Sequence, residues 1–143
     1  MSASKILKTI KEKEIEYIDL RFTDPKGKLQ HVTMDKTVVD EAMLTDGIFF
    51  DGSSIAGWKA INESDMILKP DLSREVIDPF SSHNTLVLFC DVLDAVKKIP
   101  YERDPRSTAK KAEAYLKKSG IGDKAFFGPE AEFFVFDDVK FKN

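Results

Sequence analysis

The segment at residues 49–54, Phe-Phe-Asp-Gly-Ser-Ser, is the part of the sequence that most constrains the fold. Because glycine reaches positive φ without steric cost, Gly52 predicts a sharp turn directly after an apolar run. That turn holds Asp51, Ser53 and Ser54 at the tip of a rigid element, where binding groups are common. The other interpretation is an ordinary Asx turn with Trp58 as a core residue, and this segment alone favours it.

A second segment, residues 126–136, predicts a strand, because aromatic and β-branched residues run between a Gly-Pro pair and an Asp-Asp pair. Side chains two residues apart on a strand point the same way, which puts Glu130 and Glu132 on one face with Cα atoms roughly 6.6 Å apart. Carboxylates that lead into an apolar face suit Mg²⁺ or Mn²⁺, which bind oxygen ligands. A solvated strand end, or ion pairs with Lys or Arg, would produce the same pattern, so both interpretations stay open.

Several further motifs occur in order along nearly the whole chain. They are Phe50-Asp51-Gly52-Ser53-Ser54, Gly57-Trp58, Glu63-Ser64-Asp65-Met66, Asp78-Pro79-Phe80, Arg103-Asp104-Pro105-Arg106 and Phe127-Gly128-Pro129-Glu130-Ala131-Glu132-Phe133. Together they resemble the glutamine synthetase family, in particular the N-terminal portion of the bacterial type I enzymes. One position departs from the family pattern, because Ala131 stands where the family usually carries proline. Alanine adds no polar group and keeps the alternation of the strand.

The resemblance implies an ATP-dependent ligase that forms glutamine from glutamate and ammonia through γ-glutamyl phosphate, a reaction of nitrogen assimilation. It implies that Asp51, together with Ser54, binds ammonium and that Asp51 takes the proton. It places Trp58 at the wall of the nucleotide site. It also implies ATP as co-substrate and two divalent cations, Mg²⁺ or Mn²⁺, with Glu130 and Glu132 as one ligand for each.

In this family Asp51 and Trp58 serve the active site of the neighbouring subunit. The resemblance therefore implies a homo-oligomer, a dodecamer in the type I enzymes, with active sites between adjacent subunits. Family members are much longer than 143 residues, so we expect this chain to be a truncated form without synthetase activity of its own. Two alternatives stay open, a related ligase that joins glutamate to another amine and a non-catalytic β-grasp module that assembles with intact subunits.

Composition indicates a cytoplasmic protein. The 22 basic and 25 acidic residues give a net charge of −3, which argues against a nucleic-acid partner. The sequence has no apolar run of membrane-spanning length, and we expect no secretory leader because the first residues lack an apolar region. The single cysteine, Cys90, lies in an apolar run and is typical of a buried strand thiol. His31 and His83 are isolated, and we expect ordinary structural roles for both.

Hydrophobic periodicity predicts an α+β fold. The expected elements are a helix with Ser4 as its N-cap, strands at 15–22 and 28–34 around a turn at 24–27, a short helix at 38–44, and strands at 65–70 and 85–93. Residues 70–84 are expected to form a surface loop that reaches a neighbouring molecule. These elements make a small mixed sheet with a helix packed on it, which the family resemblance identifies as a β-grasp domain.

A domain boundary is predicted near 99–103. The family resemblance then implies that residues 1–103 form the β-grasp domain and that residues 104–143 begin an incomplete catalytic α/β barrel. The second part would contain a helix that starts at Asp104-Pro105 and ends at Gly120, followed by the Glu130 strand. Without partners that strand would expose the phenylalanines Phe126, Phe127, Phe133, Phe134 and Phe136. We therefore expect residues 104–143 to be poorly folded or to pair with another chain.

Overall fold

A six-stranded mixed sheet forms the centre of the protein. The computed structural model describes residues 2–59 and 64–142. The elements in these ranges are α1 (Ala3–Glu12), β1 (Tyr17–Thr23), β2 (Leu29–Asp35), α2 (Glu41–Asp46), β3 (Ile48–Asp51), β4 (Asp65–Pro70), β5 (Val76–Ile77), β6 (Thr85–Asp94) and α3 (Pro105–Ser119), with 3-10 turns at Lys36–Val38 and Gly52–Ser54.

The strands lie in the order β2-β1-β6-β4-β3, and β5 also pairs with β6. β1 runs parallel to β6, while the β1–β2, β3–β4, β4–β6 and β5–β6 pairs are antiparallel. The predicted α+β class with a mixed sheet is therefore confirmed. β6 lies between β1 on one side and β4 and β5 on the other, so the sheet is built around a single long strand.

One face of this sheet carries the hydrophobic core. Ile18 and Leu20 of β1 and Leu86 and Leu88 of β6 are fully buried there. Helix α1 adds Ile6 and Ile10 to the same cluster, and α2 adds Met43 and Leu44. The alternation along β1 agrees with the sequence prediction, since residues at even positions point into the core.

The other face of the sheet carries a network of polar side chains around Asp19, which is only 3% exposed. Its carboxylate accepts hydrogen bonds from Arg21 Nε at 2.7 Å and Thr33 Oγ1 at 2.8 Å, and His31 Nδ1 lies 2.7 Å from it. Burial raises the pKa of Asp19, but the hydrogen bonds from Arg21, His31 and Thr33 outweigh it and hold the pKa below its ordinary value. Arg21 also binds Asp78 at 2.5 Å. His31 therefore has the structural role expected from the sequence.

His83 and Cys90 also have structural surroundings. The ring of His83 packs edge-on against Tyr17, and its Nδ1 lies 3.3 Å from a Glu16 oxygen. Cys90 is 1% exposed in β6, and burial raises the pKa of its thiol far above the ordinary value. A buried, protonated strand thiol is confirmed.

Three local predictions need correction. The N-cap of α1 is Ser2, whose hydroxyl accepts from Lys5 N, and not Ser4. The expected helix at 38–44 is replaced by a 3-10 turn and by α2, because Asp40 caps the helix by accepting from Met43 N at 2.7 Å. The 70–84 segment is not wholly a loop, because β5 pairs with β6 and Asp78 binds Arg21; its contact with a neighbouring molecule stays a prediction.

The expectation that residues 104–143 are poorly folded is wrong for helix α3, which is regular and attached to the sheet, while residues 121–142 contain no regular secondary structure. Asp104 is fully buried and caps the helix, and Pro105 occupies its first turn. Arg106 Nε lies 2.8 Å from Asp91 of β6, and Arg106 also pairs with Asp71. Charged and capping contacts, which local apolar patterning does not reveal, hold the start of this helix.

The strand predicted at 126–136 is wrong for this structure, because residues 121–142 contain no regular secondary structure. A strand needs a neighbour for its backbone N–H and C=O groups, and none of the described strands pairs with this segment. The phenylalanines are exposed as expected, with exposed fractions between 67% and 92% for Phe126, Phe127, Phe133, Phe134 and Phe136.

None of the helices within 2–59 and 64–142 is both long enough and apolar enough to cross a membrane.

We predict that Asp104→Ala lowers the free energy of unfolding by about 1–3 kcal/mol, since it removes a buried cap. Its carboxylate accepts from Ser107 N at 3.0 Å and from Ser107 Oγ at 2.8 Å. Urea denaturation measures the change. Glu113→Ala on the exposed face of α3 is the control and should have a much smaller effect. Equal losses in the two variants would contradict the anchoring of α3 through Asp104.

Candidate functional site

Asp51 is the last residue of β3, at the edge of the sheet. Strand pairing places it opposite Asp65 at the start of β4. Immediately after it, Gly52 N donates to Ser64 O at 2.7 Å. The backbone position of Asp51 is thus fixed by the β3–β4 ladder, as expected for a group at the tip of a rigid element.

Gly52 is required for a reason other than the predicted positive φ. It is buried and does not occupy the left-handed region, unlike Gly57 with φ of 87°. A Cβ atom at Gly52 would lie 2.7 Å from Met66 Cγ and 3.0 Å from Ser64 O. The chain turns here through a 3-10 turn, and glycine is needed because β4 approaches the backbone closely.

The Asp51 carboxylate is exposed and held in one orientation by Ser53. Asp51 Oδ1 accepts from Ser53 N at 2.8 Å and from Ser53 Oγ at 2.6 Å. The hydrogen bond from the Ser53 hydroxyl, followed by that from the Ser53 amide, holds the pKa of Asp51 below its ordinary value. The group is therefore an ionised carboxylate at neutral pH, open to a cation from solvent.

Ser54, predicted to bind ammonium together with Asp51, is exposed on the same 3-10 turn. The hydroxyl that contacts Asp51 belongs to Ser53, and the ammonium-binding role of Ser54 stays a prediction. An Asp followed two residues later by Ser is a common local hydrogen-bonding pattern, so the sequence already carried the signal for this contact.

Trp58 ends the segment as a buried residue, 5% exposed. Its ring stacks on Phe22 with centroids 5.6 Å apart and meets Phe50 and Tyr101 edge-on at 6.2 Å and 5.8 Å. These contacts agree with the interpretation of Trp58 as a core residue. Phe22 and Tyr101 are distant in sequence, so no local pattern predicts this cluster.

Glu130 and Glu132 lie apart from regular structure, in the irregular segment 121–142, and both are exposed. No group of three or more His, Cys, Asp or Glu side chains that could hold a metal occurs in the described part of the chain. Two exposed carboxylates do not fill the six-coordinate shell that Mg²⁺ requires. The described residues alone thus do not fit a complete divalent-metal site.

The structure accordingly brings together Asp51, Ser53, Ser54 and Trp58 on one short segment. It provides no contact that would link them to Glu130 or Glu132 within the described residues. The arrangement presents an oriented, ionised carboxylate beside hydroxyl groups, which can bind a small cation and exchange a proton with it.

Comparison with known proteins identifies the family. Residues 14–95 match the family model described as glutamine synthetase, beta-Grasp domain, and residues 102–143 match the model described as glutamine synthetase, catalytic domain. The chain belongs to the glutamine synthetase family. The resemblance drawn from the motifs is confirmed.

Similar curated proteins are full glutamine synthetases. The chain is 67% identical over 141 residues to glutamine synthetase of Rhizobium meliloti and 54% identical over 141 residues to that of Escherichia coli. Each match covers 99% of this chain and 30% of the relative. The chain thus spans about 30% of the length of the curated glutamine synthetases it matches.

Solved structures agree on the fold. Glutamine synthetase of Plasmodium falciparum superposes with a TM-score of 0.74 at 23% identity, covering 84% of this chain and 23% of that one. Ligand-free GmaS superposes with a TM-score of 0.70 at 20% identity, covering 80% of this chain and 26% of that one. At these identities the similarity shows the fold.

We predict that Gly52→Ala lowers the free energy of unfolding by about 1–3 kcal/mol, because its methyl group overlaps Met66 and Ser64. Chemical denaturation followed by circular dichroism measures it. The matched control is Gly128→Ala, where a Cβ meets nothing within 4 Å, and it should leave stability unchanged. A neutral Gly52→Ala variant would show that close backbone approach does not fix the Asp51 turn.

Proposed function

We propose that this chain forms part of an ATP-dependent ligase that makes glutamine from glutamate and ammonia through γ-glutamyl phosphate. The observation that carries the proposal is the exposed Asp51 carboxylate, ionised and oriented by Ser53 at the end of β3. Membership of the glutamine synthetase family supports the reaction class.

In the proposed reaction, Asp51 binds ammonium through charge and hydrogen bonding, with the exposed Ser54 hydroxyl as a second acceptor. One ammonium proton passes to the Asp51 carboxylate, and the resulting ammonia attacks the acyl carbon of γ-glutamyl phosphate. The C–N bond forms, phosphate leaves, and the new nitrogen loses a second proton to solvent to give the amide. A lowered pKa favours cation binding over proton retention, so the exposed carboxylate then returns its proton to solvent.

Trp58 contributes to the wall of the proposed nucleotide site by supporting the backbone of that wall. It does not stack on the nucleotide. Only 5% of the residue is exposed, and its ring packs against Phe22, Phe50 and Tyr101. Its contribution is to keep the segment that follows Ser54 in place, so that a nucleotide meets a preformed surface.

Glu130 and Glu132 are proposed as ligands for two divalent cations, Mg²⁺ or Mn²⁺, with one glutamate for each and ATP as co-substrate. Such cations would neutralise phosphate charge during phosphoryl transfer. Since the described residues do not complete a metal site, these two glutamates require further oxygen or nitrogen ligands from outside the residues described here.

We also propose a domain organisation and an oligomeric assembly for the protein. Residues 1–103 are proposed as the β-grasp domain and 104–143 as part of the catalytic domain of a cytoplasmic enzyme. Asp51 and Trp58 are proposed to serve the active site of an adjacent subunit in a homo-oligomer, a dodecamer. The exposure of Asp51 at the edge of the sheet supports a role outside its own domain.

The test uses a chimera of the Rhizobium meliloti enzyme in which this chain replaces the matching segment. We expect Asp51→Asn to lower kcat/KM for ammonium by roughly a hundredfold or more, because the base and the negative charge are both lost. The control is Asp46→Asn, an exposed residue of α2, which should match the parent chimera. The 143-residue chain alone should form no glutamine.

Retention of full ammonium-dependent activity by the Asp51→Asn chimera would overturn the proposed function. Replacing ammonium by methylamine in the same assay, with the unmodified Rhizobium meliloti enzyme as reference, tests whether this chain favours ammonia or a larger amine. A shift of the chimera toward methylamine relative to that reference would reassign the acceptor while keeping the ligase reaction.

A further inference from the structure

The segment that carries Ser54 and Trp58 is held at its far end by residues distant in sequence. Tyr101 Oη donates to the Trp58 carbonyl at 3.0 Å in a buried hydrogen bond, across 43 positions of sequence. Arg103 Nη1 donates to the Gly57 carbonyl at 3.0 Å. Two consecutive backbone carbonyls of the turn are therefore bound from the linker that precedes α3.

Tyr101 is itself fixed to the centre of the sheet. Its backbone N–H donates to Val92 O at 2.9 Å, and a bridge pairs Leu93 with Pro100 beside it. On the other side, Asp104 N donates to Tyr101 O at 3.2 Å as the chain enters α3. The phenol is thus supported from both directions, and its ring packs edge-on against Trp58.

The start of the turn, at Gly52, is fixed independently. It is held by the β3–β4 pairing and by the hydrogen bond from Gly52 N to Ser64 O. Between the two ends, Ile55 N donates to Gly52 O at 3.1 Å and Trp58 N to Ile55 O at 3.2 Å. These backbone hydrogen bonds connect the start of the turn at Gly52 to its end at Trp58. The placement of Ser54 therefore depends on the Tyr101 contact as well as on the strand that carries Asp51.

We propose that Tyr101 is a positioning residue for the ammonium-binding turn, acting through its hydroxyl on the Trp58 carbonyl. The inference rests on the proposed function of Asp51 and Ser54. Tyr101 touches no substrate in this scheme. Its ring fills space beside Trp58, and its hydroxyl fixes where the turn lies, so the two contributions can be separated by removing the hydroxyl alone.

The first measurement uses Trp58 as a probe, because it is the single tryptophan of the chain. In Tyr101→Phe we expect a red shift of the native-state emission maximum and easier quenching by acrylamide, as the turn loosens around a buried ring. Tyr115→Phe is the matched control, since Tyr115 is 73% exposed on α3, and its spectrum should not change. Unchanged Trp58 emission in Tyr101→Phe overturns the proposal.

The second measurement separates positioning from stability, using the chimera with the Rhizobium meliloti enzyme. We expect Tyr101→Phe to raise the ammonium KM up to roughly fivefold, the equivalent of one neutral hydrogen bond, with the KM values for glutamate and ATP unchanged. The stability-matched control is Ile10→Val, a core truncation in α1 of comparable cost. It should leave the ammonium KM unchanged.

The failure of this inference is distinguishable from failure of the proposed function. An unchanged ammonium KM in Tyr101→Phe, together with a large loss in Asp51→Asn, overturns the positioning role alone. An equal rise of the ammonium KM in Ile10→Val also overturns it, because a general loss of stability then explains the effect. No loss in Asp51→Asn overturns the function on which the inference rests.

Discussion

The hydrogen bonding of β6 to its neighbours is the constraint on which the rest of the molecule depends. This ten-residue strand pairs with β1 in parallel and with β4 and β5 in antiparallel orientation. Its Leu86, Leu88 and Val92 are fully buried. β4 pairs with β6 on one side and with β3 on the other. The position of Asp51 at the sheet edge therefore depends on the register of β6, two strands away.

The same strand also sets the far side of the candidate site. Val92 O accepts a hydrogen bond from the backbone N–H of Tyr101. Asp94, at the end of β6, lies 3.3 Å from the Nζ atom of Lys59, which follows Trp58 in the chain. The turn from Gly52 to Trp58 is therefore attached to β6 by two routes, one through β4 and one through the linker ahead of α3. A rigid sheet that fixes a short loop at both ends can orient an exposed carboxylate without burying it.

The sequence predicted the strands at 65–70 and 85–93 well, because apolar side chains there match a buried strand. The family and the Asp51 turn were also readable, since their motifs are local. The sequence does not reveal why glycine is needed at position 52, because the close approach of Gly52 to Met66 depends on tertiary pairing. The contact of Tyr101 with Trp58 spans 43 residues and has no local signal. The strand predicted around Glu130 is absent from the structure, because strand propensity alone cannot supply a pairing partner.

Asp51 is an oriented, ionised carboxylate in this chain by itself. A ¹³C NMR titration of the Asp51 carboxyl group in the isolated chain tests this most directly. We expect a pKa below the ordinary value for aspartate, raised toward that value by Ser53→Ala and unaffected by Ser54→Ala, because Ser53 makes the largest contribution to the lowered pKa and Ser54 makes none of the described hydrogen bonds to Asp51. An Asp51 pKa at or above the ordinary value, or one insensitive to Ser53→Ala, would contradict the account.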